Sequence, residues 1–270
     1  MTSQGNITTR PWPERLSGKW WFYVVIFLLF FAPSYSAIPI EPTEIPQLIV
    51  ATLSNPLIYS IPAVFPIFKI IPILLIVAIA AFGDRATRAF AIYAAALLMA
   101  LAIFQTTAIT DRYGFAVMTG NLIVYLIVAL FWLWEAIVKK SDFSPRPSPI
   151  WRWWVAPVAF LAFWFPINEA LRPDFSPLLI LTSEAGLTYC MMTPVFLAVL
   201  TFFYPAVNLA VLRVTGFVGL TTAAFNIIQE FFVFPEAWWM GVLHLPLLAI
   251  SLYACILSFR KRPDMPVPAK

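Results

Sequence analysis

Apolar runs about as long as a bilayer core is thick recur along this chain, and they constrain its fold more than any motif does. A hydrocarbon core about 30 Å thick takes about 20 consecutive apolar residues as a helix. Backbone of irregular shape at that depth has to be buried in protein or line a wet cavity. Composition agrees: of 270 residues, 61% are hydrophobic and 11% charged, with mean hydropathy +0.86. Soluble domains carry about 25% charged residues. The expected fold class is therefore all-α, a polytopic integral membrane helical bundle in a lipid bilayer.

Eight spans are expected, at about 20–38, 57–82, 88–109, 114–138, 151–167, 187–212, 214–233 and 237–259. Basic residues collect on cytoplasmic loops. Under this assignment fourteen of the seventeen Lys and Arg fall on one side, among them Arg15, Lys19, Arg85, Arg88, Lys139, Lys140 and Arg213. The opposite loops hold Arg112 and Arg172 with Glu41, Glu44, Asp111, Glu169, Asp174, Glu184 and Glu236. Both termini are expected in the cytoplasm. The first span also has the shape of a cleavable signal peptide with small residues near Ala37, but a counterpart later in the chain favours a retained helix. The sequon Asn6-Ile7-Thr8 falls on the cytoplasmic side and carries no weight.

That counterpart is part of a duplication. "KWWFYVVIFLLFFAP" from Lys19 resembles "RWWVAPVAFLAFWFP" from Arg152, a shift of 133 that also pairs Glu41 with Asp174 and Pro72 with Pro205. A shift of 125 pairs Arg88 with Arg213, Ala91 with Gly216, Ala94 with Gly219 and Gln105 with Glu230. The expected organisation is a four-helix repeat over 1–140, a cytoplasmic linker over 141–151 and a second repeat over 152–270. Four spans per half make the two halves parallel. The small residues of spans three and seven allow close helix packing and place both helices at the centre.

Polar side chains inside a bilayer are costly and mark function or interhelical pairing. Lys69, between Pro66 and Pro72, is expected to turn into the bundle, with Glu230 as its acidic partner or a carbonyl freed by the prolines. Asn226, Gln229 and Glu230 share one helical face. Gln105 matches them in depth, and Asn121 and His244 lie in the outer half of their spans. These seven residues are the candidate binding set. Glu135 reads as an interfacial pair with Lys139 at i, i+4, and the tryptophans at span ends as an aromatic belt.

One histidine and two cysteines without CxxC spacing leave no zinc cage and no bis-histidine haem site, and no other cofactor is expected. The basic residues sit at helix ends, so nucleic acid is not an expected partner. Three function classes remain. Transport or binding of a small molecule or ion through an outward-facing polar pocket between the repeats ranks first, a scaffold subunit contacting other membrane subunits second, and an embedded enzyme acting on a lipid or isoprenoid-like substrate third.

Overall fold

The computed structural model describes residues 11–146 and 149–260. The sequon and the basic residues Arg10, Lys261, Arg262 and Lys270 lie outside them. In chain order the helices are α1 (Trp12–Leu16), α2 (Trp20–Leu29), α3 (Ile45–Ser54), α4 (Phe65–Phe82), α5 (Asp84–Ala100), α6 (Thr119–Val138), α7 (Val155–Trp164), α8 (Leu179–Thr182), α9 (Tyr189–Phe202), α10 (Leu209–Ile228) and α11 (Trp238–Phe259). Among the described residues five helical stretches are long and apolar enough to cross a membrane: Pro62–Phe82, Asp84–Gln105, Thr119–Val138, Leu209–Val233 and Pro235–Phe259. A sixth is broken, with Leu179–Leu187 meeting Tyr189–Phe202 at 96°.

The first and fifth expected spans are shorter than the sequence suggested. Helix α2 has 10 residues, about 15 Å at 1.5 Å each. Pro33 follows it, and the chain turns into strand β1 (Tyr35–Ser36). The end of α2 abuts the start of α6 at Gly120, where a Cβ would lie 2.6 Å from the Phe30 carbonyl oxygen. Only glycine permits that approach. Helix α7 stops where Phe165 takes a left-handed conformation, φ 57°, just before Pro166. Span six also ends early, at Phe202, because the chain turns through Pro205 and restarts at Leu209. There the Asn208 side chain accepts from the Ala210 N–H at 3.1 Å and caps α10. Pro205 thus lies in a turn while Pro72 lies within α4, so that pairing of the repeat is not between equivalent positions.

A small sheet departs from the all-helical expectation. Strands β2 (Thr107–Thr110) and β3 (Gly114–Val117) form a hairpin, and β1 pairs antiparallel with β3 in the order β1-β3-β2. Gly114 takes φ 63° at the turn. The sheet covers α3 through Leu48, Tyr113 and Ala116.

The main core lies where α9 and α10 pack among α6, α7 and α11, while α5 packs on α4 and α6. At the end carrying Asp84, Lys139 and Arg213, Glu135 is 1% exposed. It does not pair with Lys139, whose ammonium meets Asp84 at 2.7 Å. Its carboxylate accepts from Ser141 N at 2.7 Å and from Asn208 Nδ2 at 2.6 Å, tying α6 to the start of α10. The expected linker is therefore packed at its start: Phe143 is 1% exposed and sits edge-on to Phe90. Trp132 is likewise no belt residue, for it is buried and donates to Thr215 Oγ1 at 3.0 Å. Trp20, Trp151, Trp153 and Trp238 are exposed.

Candidate functional site: an acidic cleft with buried bases behind it

At the opposite end of the bundle a cleft of about 1340 Å³ opens between first-half and second-half residues. Helix α3, the turn at Tyr59 and the start of α4 form one wall; residues 165–184 and the junction of α10 with α11 form the other. Glu169, Asp174, Glu184, Glu230 and Glu236 line it, and among the described residues no lysine or arginine does. Two of these carboxylates are backed by a buried nitrogen base.

Glu184 is backed by Lys69. Lys69 is fully buried. Its ammonium donates to the Phe163 carbonyl and stands 4.2 Å from the centroid of the Phe163 ring. That carbonyl is free because its helical donor, the Ile167 N–H, bonds Phe165 O instead at 2.9 Å. The carboxylate whose field reaches Lys69 is Glu184, not Glu230. Gly186 fixes this arrangement: a Cβ there would be 2.8 Å from Phe68 O and 3.2 Å from Lys69 N. Pro72 does leave the Phe68 carbonyl without its helical donor, but the hydroxyl of Tyr93 reaches it, at 3.4 Å.

Glu230 is backed by His244, 6% exposed. Glu230 Oε2 lies 2.8 Å from His244 Nδ1, and the Met240 carbonyl lies 3.0 Å from the same nitrogen. Two acceptors at Nδ1 place a proton there. Cys190 lies close to the same imidazole.

Most of the remaining candidates converge on the first turn of α9. Gln105 Oε1 accepts from Tyr189 N at 2.9 Å, satisfying an orphan amide of that helix. Asn226 Nδ2 donates to Cys190 Sγ at 3.1 Å. Asn121 Nδ2 donates to the Tyr125 hydroxyl at 3.3 Å, and the Tyr125 ring stacks on Tyr189 with centroids 3.7 Å apart. Gln229 lines the cleft.

Sequence reasoning missed Glu184, Tyr59 and Cys190 as site residues. Glu184 was counted as a loop charge; the small pair Ala185-Gly186 after it was the available signal of close packing. Tyr59 OH and Thr188 Oγ1 are 2.6 Å apart, joining one wall to the start of α9. Burial pushes the Tyr59 hydroxyl pKa up, so it stays protonated. For Cys190 the sequence offers no signal. Comparisons with protein-family models, with curated proteins and with solved structures give no match.

Proposed function

We propose that this is an integral membrane protein that binds, and carries across the bilayer, an organic cation entering through the acidic cleft. The observation that carries this reading is the lining itself: five carboxylates without a lysine or arginine among the described residues. Such a wall focuses negative potential on a concave, partly apolar space. The carboxylates are spread around it. Among the described residues no three His, Cys, Asp or Glu stand close enough to hold a metal ion, so a ligand with distributed positive charge suits the wall better than a compact ion.

The proposed topology has both termini cytoplasmic and eight membrane-embedded helical elements, α2, α7 and the broken α8–α9 pair included. It is supported by the gathering of Lys139, Lys140, Arg152 and Arg213 at the end away from the cleft. The proposed duplication has two supports. Helices α5 and α10 begin at Asp84 and Leu209, 125 residues apart, and each runs into a five-residue π-helical turn, Leu101–Gln105 and Gln229–Val233.

An enzyme built on Cys190, His244 and Glu230 is the weaker reading, because the thiol is buried and does not line the cleft. Calorimetric titration of spermidine into the detergent-purified protein tests the cation reading. Saturable binding weakened at least about tenfold by Glu184→Gln with Glu230→Gln is expected, as is weakening by added salt. Equal binding by the parent and the double variant would remove the cleft from the account.

A further inference from the structure

Helices α4 and α7 are held apart on one flank of the bundle. α4 packs on α5 and α8, α7 packs on α9 and α11, and α8 and the Glu184–Leu187 turn touch both at the cleft end. Between α4 and α7 lies a groove of about 700 Å³, a volume typical of ligand sites. α4 lines it from Pro72 to Ala80, about 12 Å along the helix axis. Its floor is α9, and small side chains keep it open: Ala80 on α4, Ala156 and Ala159 on α7, and Ala198 on α9.

The groove opens sideways. Ile73, Ile76 and Val77 of α4 and Phe160 of α7 are exposed along its rims, while Ala159, Val195 and Ala198 beneath them are buried. Among the described residues only Arg146 and Trp153 bring a side-chain hydrogen-bonding group to the lining. Both stand at the basic end of the bundle, where Pro145 packs against Gly83 in the turn between α4 and α5. Water finds no partners on the remaining walls, and an unfilled apolar space forfeits dispersion contacts. A hydrocarbon chain meets both conditions. Arg146 gives one guanidinium nitrogen to Asp142, which leaves N–H donors for a phosphate. Basic pockets between membrane helices bind lipid head groups in this way. Trp153 is exposed, and tryptophan settles at head-group level.

We propose that this groove is a phospholipid site. One acyl chain lies between α4 and α7 on the floor of α9, and the phosphate sits on Arg146. The proposal is independent of what the acidic cleft binds.

Photocrosslinking tests it. The probe is phosphatidylglycerol carrying a diazirine on an acyl chain, added to the full chain in detergent, with adducts mapped by mass spectrometry. Adducts should concentrate on residues 72–80, 155–163 and 195–203. Adducts spread evenly over the apolar surface, Leu245, Leu252 and Ile256 of α11 included, would mean contact with bulk lipid only and overturn the proposal. Ala80→Phe with Ala156→Phe fills the groove from two exposed positions and should lower the adduct yield there several-fold. Arg146→Gln should weaken the apparent affinity about three- to tenfold. Undiminished labelling of the groove in either variant overturns the proposal.

Discussion

Lys69 is the residue whose environment was half legible. A lone lysine in an apolar run has to find an acceptor inside the protein, because facing lipid costs at least about 2.5–3.5 kcal/mol. Its burial followed from that. Its partners did not, because Phe163 is 94 positions away and is freed by the left-handed Phe165, which periodicity does not announce. Glu184 belongs to a segment that reads as a loop until Gly186 is seen pressed on α4. Lys69→Met leaves the buried Phe163 carbonyl without its donor and takes away the cation whose field reaches Glu184, and is expected to destabilise by about 1–3 kcal/mol. Adding Glu184→Gln should recover part of that loss, and adding Glu230→Gln should not. Thermal unfolding of the single and the two double variants in detergent checks this.

Among elements, the mostly helical, membrane-length character was legible and helix ends were not. Ends here are set by contacts that hydropathy does not encode: Gly120 against Phe30, the Asn208 cap, and the hairpin that takes residues 114–117 out of span four. Glu135 shows the cost of reasoning from spacing alone, since i, i+4 to Lys139 looked sufficient. Glu135→Gln turns an amide donor toward Ser141 N or Asn208 Nδ2 and should cost about 1.5–3 kcal/mol. Lys139→Ala removes a part-exposed pair and should cost under about 1 kcal/mol. Chemical denaturation of both variants would show the expected order, and the reverse order would restore the simple pairing. At the other end, Arg112 on the β2–β3 turn bonds the Glu44 carboxylate and, with the Glu41 backbone N–H, holds its pKa below the ordinary 4.5. A lowered folded pKa stabilises above the ordinary value, and that contribution is lost as pH falls through the lowered one. Hydrogen exchange at the hairpin amides should therefore speed up below pH 4.5 in the parent and lose that dependence in Arg112→Gln.

For the molecule as a whole, charge placement and the cleft support one proposal: that the end poor in basic residues faces outward and presents the carboxylates. The sequence showed the asymmetry of charge, while the cleft depends on how α3 and the 165–184 segment fold back over the bundle. Thr182 lines the cleft and is exposed, so Thr182→Cys reports on both halves of the claim. The most direct measurement is labelling of Thr182→Cys by a membrane-impermeant maleimide in intact cells, with and without spermidine. The account predicts labelling from outside, slowed several-fold by spermidine, with Cys190 and Cys255 contributing little. Labelling only after the cells are opened, or external labelling that spermidine leaves untouched, would contradict it.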